Sequence, residues 1–269
     1  MSRIRETFAS LKRGGRGGFI PFITAGDPDI ATTELLLIEL AAAGADIIEL
    51  GVPFSDPVAD GEVIQRASER ALRNGVTLRD ALACAARAKQ RIDVPIVLFS
   101  YFNPLLKFGE QKLAKEAKQA GVDGVLVTDL IPEEAQSWTE TLVQFDLDPI
   151  FLVAPTTSDE RLARIAQQAS GFIYAVSRAG VTGARDEMSR AAEALVKRVR
   201  PVSALPVAVG FGISTAEQVR EVWRFADAAV IGSAIVREIE RLSGNANLVS
   251  QIGRFTRSLI APSGFAGEL

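Results

Sequence analysis

"ADIIELG", residues 45–51, decides the fold of this 269-residue chain. The stretch reads as a buried strand, and alternate side chains of a strand point to opposite faces. Ile47, Glu49 and Gly51 therefore share one face, and Asp46, Ile48 and Leu50 share the other. Seven further runs resemble it: Gly18–Thr24, Pro95–Ser100, Gly124–Thr128, Pro149–Val153, Gly171–Val176, Pro206–Gly210 and Ala228–Ile231. Between them lie apolar-periodic segments such as "ATTELLLIELAAAG" and "SDERLARIAQQASG", each ending near a glycine that suits a helix C-terminus. A strand followed by a helix, eight times over and without a long linker, predicts a parallel sheet closed into a (βα)8 TIM barrel. The length agrees, since such barrels run to roughly 250 residues. A doubly wound open sheet is the alternative, but "TAGDPD" after the first strand is not the G-x-G-x-x-G of a dinucleotide fold.

A single domain over residues 1–269 is expected, with an extra helix ahead of the barrel. In "MSRIRETFASLKRGGRGG", Ile4, Phe8 and Leu11 fall at helical spacing and Glu6 is acidic. That pattern fits an amphipathic helix of the fold better than an Arg-rich transit peptide. No apolar run reaches the roughly 18 residues of a membrane span, so a cytoplasmic protein with no membrane partner is expected. Thirty basic against 33 acidic residues leave a formal charge of −3 with no basic block, which disfavours nucleic acid. The chain holds one cysteine, Cys84, and no histidine. That removes a disulfide framework and a Cys/His metal or thiol site, so no metal is expected and Cys84 reads as a small buried apolar residue.

Without histidine, carboxylates are the first candidates for proton transfer near neutral pH. Ile48 and Leu50 belong against the helices, so Glu49 points into the barrel near the carboxyl end of its strand, where barrel enzymes place their chemistry. An inward glutamate among Ile, Leu, Val and Phe resists ionisation, which brings its pKa toward the range of a general acid or base. The bland alternative is a salt bridge to an inward Lys or Arg, and no candidate strand offers an obvious one. Asp56 and Asp60 follow in the loop "VPFSDPVADG". Turn formation or helix capping explains most loop aspartates, and Asp60 stands where an N-cap for "GEVIQRASERAL" would stand.

Glycine-bearing segments close the last three strands: "AGVTG" (Ala179–Gly183), "GFGIS" (Gly210–Ser214) and "GSAIV" (Gly232–Val236). Barrels commonly build an anion site from the loops after strands 7 and 8 and a helix N-terminus, where glycine lets backbone N–H groups approach phosphate oxygens. The three together point to a phosphate ester, with Ser233 as a hydroxyl donor; a nucleoside triphosphate is disfavoured because G-x-x-x-x-G-K-[ST] is absent.

Read in order, "PFITAGDPD", "IELGVPFSDPVADGEVIQRA", "YFNPLLKFG", "YAVSRAGVTGAR", "AVGFGIS" and "AVIGSAIV" closely resemble the tryptophan synthase alpha subunit family, from about residue 2 to about residue 260. Glu62 departs from the proline that many members carry after "DG", and either residue suits a helix start. The resemblance implies retro-aldol cleavage of indole-3-glycerol phosphate to indole and glyceraldehyde 3-phosphate, with no cofactor in this subunit. It also implies a PLP-dependent beta subunit, in an α2β2 tetramer, that receives the indole and joins it to serine. Carried over by motif, Glu49 is the acid/base and Asp60 the carboxylate facing the indole nitrogen. Tyr174 stands beside the substrate, and Phe22 and Phe211 form aromatic walls. Gly183, Gly212, Gly232 and Ser233 bind phosphate, and Thr182 meets Asp60 when the loop after strand 6 closes. Asp56 and the "YFNP" turn with Asn103 face the beta subunit. The competing readings are a stand-alone lyase releasing free indole, an allosteric subunit with little turnover, and another phosphate-binding barrel isomerase or synthase. The last would carry a catalytic lysine or cysteine at a strand end, and none stands on strands 1 or 2.

Overall fold

The computed structural model describes residues 2–176, 185–210 and 212–261. Eight parallel strands pair in chain order and close on themselves. They are β1 (Gly18–Thr24), β2 (Ile48–Gly51), β3 (Ile96–Ser100), β4 (Gly124–Val127), β5 (Asp148–Val153), β6 (Ile173–Val176), β7 (Val207–Gly210) and β8 (Ala228–Ile231). The barrel expected from the alternation is the one observed. The helices before the fourth strand are α1 (Arg3–Arg13), α2 (Ile30–Ala42), α3 (Glu62–Arg73), α4 (Leu78–Lys89), α5 (Phe102–Phe108) and α6 (Glu110–Gln119). Those after it are α7 (Gln136–Gln144), α8 (Asp159–Gln168), α9 (Arg185–Val199), α10 (Ala216–Val222), α11 (Ser233–Leu242) and α12 (Leu248–Ile260). Six of the eight strands differ from expectation at one end, five of them by only one or two residues, and two departures are larger. The second strand begins at Ile48 rather than Ala45, although the Asp46 N–H already donates to the Phe19 carbonyl at 2.9 Å. The "YFNP" segment is no turn: Tyr101 caps α5, and Asn103 lies in its first turn.

Strand alternation divides the core in two. Ile48 and Leu50 pack outward with Leu36, Leu37 and Leu40 of α2. Ile47 packs inward with Ile20, Val97, Leu126, Ile150, Phe172 and Val230. Ile4, Phe8 and Leu11 of α1 join that inner cluster, so the amphipathic N-terminal helix stops the amino-terminal mouth of the barrel. Cys84 is buried in the outer layer, and burial pushes its thiol up to about 12, an inert small apolar residue.

Three aspartates fix the register at that closed end. Asp46 accepts the Phe19 N–H at 2.8 Å, Asp123 the Ile96 N–H at 3.0 Å, and Asp227 the Val207 N–H at 2.7 Å. Each stands just before an even-numbered strand and ties down the start of the odd-numbered strand preceding it. Arg16, Lys89 and Arg200 pair with these carboxylates in turn. The amino-terminal end is thus a structural clamp, and the chemistry is left to the other mouth, as in barrels generally.

Candidate active site at the carboxyl end of the barrel

Glu49 pairs across the ladder with Phe22 of β1 and Val97 of β3, and its side chain is fully buried. Neither carboxylate oxygen has a hydrogen-bond partner. No cation answers it among the described residues, so the salt-bridge alternative fails. A carboxylate removed from water without a partner is strongly disfavoured, and burial holds its pKa well above the usual 4.5. Burial therefore favours the neutral carboxylic acid of Glu49 over its carboxylate. Thr24, two residues beyond Phe22 on the same inward face, also buries a hydroxyl with no partner.

Asp60 lies in the loop that follows β2. It does not cap α3: Gly61 occupies that position, with no side-chain capping bond. Burial instead raises the Asp60 pKa to about 6, against a hydrogen bond from the Tyr101 hydroxyl that lowers it. At neutral pH Asp60 is mostly ionised, while full burial pushes Glu49 toward its neutral form. The two carboxylates thus sit in unequal surroundings, one fully buried without partners and one in a partly buried loop, and such inequality is how acid and base roles are divided in one site.

Tyr174 brings them together. Burial raises its pKa, and the charges of Glu49 and Asp60 add to that, so the phenol hydroxyl lies within electrostatic reach of both. Space for it exists only because residue 210 is glycine: a Cβ there would overlap the Tyr174 hydroxyl. Gly210→Ala is accordingly expected to displace Tyr174 and lower turnover about a hundredfold, the scale of a 1 Å misplacement in an active site. Steady-state assay of the purified variant checks this, and unchanged turnover would show that Tyr174 can be moved freely.

The apolar wall is built from Phe22, edge-on to Phe99 at 5.2 Å, with Val63 and Ile64 of α3 and Val236 of α11 packed around it. A Cβ at Gly51 would run into the Phe22 ring, so that glycine shapes the wall. On the far side Gly232 caps α11 without a side-chain acceptor, and Ser233 opens the helix. Free first-turn N–H groups beside a serine hydroxyl are the chemistry that suits an anion. Gly212 follows β7 with φ +66°, a conformation that glycine alone adopts at low cost.

An ion-pair chain holds α3 and α11 in place. Arg70 donates to both oxygens of Asp27 at 2.7 and 2.9 Å and to Glu240 at 2.7 Å. Arg66 grips Glu240 from the same helix, at 2.7 and 2.8 Å. Glu240 is held down to about 2 by the two guanidinium groups, whereas burial outweighs Arg70 at Asp27 and raises its pKa. The helix that follows Asp60 and the helix that begins at Ser233 are thereby fastened to one buried loop residue.

The structure unites Glu49, Asp60, Tyr174, Phe22, Gly232 and Ser233 at this mouth, with Gly212 beside them. Asp56 and Asn103 are exposed and lie on the loop after β2 and the helix after β3, two adjacent strands. Thr182, Gly183 and Phe211 lie outside the described residues. Sequence reading passed over Tyr101, Phe99 and Thr24. Alternation along "GFIPFIT" and "IVLFS" places Thr24 and Phe99 inward, and the chain has only two tyrosines, both of which reach Asp60.

Comparison with known proteins agrees with this geometry. The family model described as tryptophan synthase alpha chain matches residues 8–260. The tryptophan synthase alpha chain of Citrifermentans bemidjiense is 51% identical over 259 residues, covering 96% of this chain and 97% of that one. Its counterpart in Geobacter sulfurreducens is 49% identical over 259 residues, with 96% and 98% covered. Among solved structures, tryptophan synthase subunit alpha from Legionella pneumophila superposes with a TM-score of 0.89 at 36% identity, covering 97% of each chain. A ligand-free tryptophan synthase from M. tuberculosis gives 0.86 at 37% identity, over 97% of this chain and all of that one.

Proposed function

The chain belongs to the tryptophan synthase alpha chain family, the lyase of the indole-3-glycerol phosphate half-reaction, and from that premise we propose that Glu49 and Asp60 carry the cleavage. Direct departure of the glycerol side chain from indole C3 would leave a poor carbanion. Protonated Glu49 first delivers its proton to C3, which converts the ring to an indolenium. The Asp60 carboxylate faces N1 and stabilises that cation in a water-poor site. Glu49, now ionised, takes the proton of the C3′ hydroxyl. The C3–C3′ bond then breaks, its electron pair restores the aromatic ring, and the C3′ oxygen becomes the aldehyde of glyceraldehyde 3-phosphate. One carboxyl gives a proton and recovers one, so the cycle closes. Phe22 and, by family motif, Phe211 flank the indole; Thr182 meets Asp60 on loop closure. Gly183, Gly212, Gly232 and Ser233 receive the phosphate, and Tyr174 stands beside the substrate.

The observation that carries this reading is the burial of Glu49 with both oxygens unpartnered, a costly arrangement unless the proton it holds is used. The reading also takes residues 1–269 as one barrel domain working in the cytoplasm. It further gives the chain a beta subunit that carries PLP, in an α2β2 tetramer docked through the face bearing Asp56 and Asn103. No cofactor is assigned to this subunit. Indole release by the purified chain, alone and with a beta subunit, tests the assignment. Turnover that rises with the partner supports it; absence of indole under both conditions would overturn it, and turnover indifferent to the partner would return the stand-alone lyase.

The phosphate assignment has its own test. Gly212→Val forces a β-branched residue to φ +66° and crowds the backbone that approaches the ester. KM for indole-3-glycerol phosphate is expected to rise about tenfold or more, the scale of one or two lost charged hydrogen bonds, with a smaller change in kcat. Wild-type affinity for glycerol phosphate in this variant would move the phosphate elsewhere.

A further inference from the structure

Two helices, α3 and α11, carry the two ends of the site. The first begins just after Asp60, and the second begins at Ser233. Close to the site they meet through apolar side chains, with Val63, Ile64 and Ala67 of α3 and Val236 of α11 packed around Phe22. Apolar contact is non-directional and does not fix how far one helix stands along the other. Roughly one to two turns further along each helix the contact changes character. Arg66 forks onto both oxygens of Glu240, and Arg70 forks onto both oxygens of Asp27 while its remaining Nη donates to Glu240. Planar forks of this kind fix distance and angle together. Asn74, which caps α3, donates to the Pro28 carbonyl at 2.7 Å, so α3 is tied twice to the loop after β1. Arg66 is exposed and Glu240 only partly buried, and ion pairs in contact with water contribute little to stability. What this network supplies is register.

We propose that Glu240, held by Arg66 and Arg70, is a positioning residue that sets the span between Asp60 and the Ser233 end of α11. It thereby selects substrates whose indole and phosphate are separated by a three-carbon chain. This rests on the reading that Asp60 faces the indole and that the start of α11 receives the phosphate. A ligand held at both ends binds as one unit only when the two subsites stand at its own length. A small error in that spacing weakens the ligand that reaches across, and it misplaces the bond to be broken. Binding of either end alone makes no such demand. The span is therefore felt by an indole phosphate and not by glycerol phosphate.

The test titrates the purified full chain with glycerol phosphate and with three indole phosphates whose saturated linkers of two, three or four carbons cannot be cleaved. Wild type is expected to bind the three-carbon compound, the length of the substrate, most tightly. Glu240→Gln removes the charge that Arg66 and Arg70 share, and leaves the fork of Arg70 on Asp27 intact. Arg70→Lys keeps a charge but loses the fork that reaches two carboxylates, so it tests the same register by a second route. In either variant the margin between three carbons and the other lengths should shrink about tenfold, within the hundredfold that a 1 Å misplacement can cost. Glycerol phosphate should bind as in wild type. A wild type indifferent to length, or a margin undiminished in both variants, overturns the proposal. So does a loss of glycerol phosphate affinity equal to that of every analogue, which would make the network a general support of the fold. Failure of glycerol phosphate to compete with the analogues in wild type would remove the phosphate reading itself, and this proposal with it.

Discussion

Glu49→Gln is expected to lower indole release about 10²–10⁴-fold, the usual loss when a positioned acid/base is removed. The amide keeps the shape of the carboxylic acid but holds no transferable proton, so neither protonation of C3 nor collection of the C3′ proton is possible. No histidine exists in the chain to take over. The fold should be unaffected, because burial already favours the neutral form of Glu49 and neither oxygen has a partner to lose. The stability profile supplies an independent sign. A carboxyl whose folded pKa lies well above its ordinary 4.5 contributes stability at low pH and loses it as pH rises through the folded value. Urea unfolding of wild type against Glu49→Gln should therefore show the variant gaining relative stability as pH increases above about 4.5. Near-normal turnover, or a stability difference of the opposite slope, would remove Glu49 from the mechanism.

The barrel was legible because its signal is local and repeated. Gly18–Thr24 and Ala228–Ile231 keep the boundaries that their β-branched runs indicate, and Glu49 is inward because period-two alternation makes it so. "YFNP" misled in the other direction. Proline at the third helical position reads as a turn, but in the first turn of a helix its missing N–H is not needed, and Tyr101 caps the segment. What alternation cannot carry is contact between distant loops. Arg66 meets Glu240 across 174 residues, and Tyr101 reaches Ala59 across 42, with no periodicity to announce either. Asp60 shows the same limit. Its sequence suits a helix cap, and the burial that makes it a different kind of carboxylate comes only from the folded barrel, with no local signal.

Asp60→Asn separates charge from geometry. The amide preserves size and one acceptor, so a residue that mattered only for shape would tolerate it. If the carboxylate stabilises an indolenium in a water-poor site, its contribution is Coulombic and is lost with the charge. Turnover is expected to fall about 10²–10³-fold, the range seen when one preorganised electrostatic group is removed from an active site. Stability should move the other way. Burial lifts Asp60 from its ordinary 3.8 to about 6, so its ionisation opposes folding, and the stability it contributes is lost as pH rises through about 6. A neutral asparagine escapes that loss, and since Gly61 rather than residue 60 caps α3, no capping bond is broken. The variant should therefore melt at or above the wild-type temperature at pH 7.5 while releasing little indole. A lower melting temperature with activity preserved would make Asp60 a structural residue and leave the indolenium without a counter-charge.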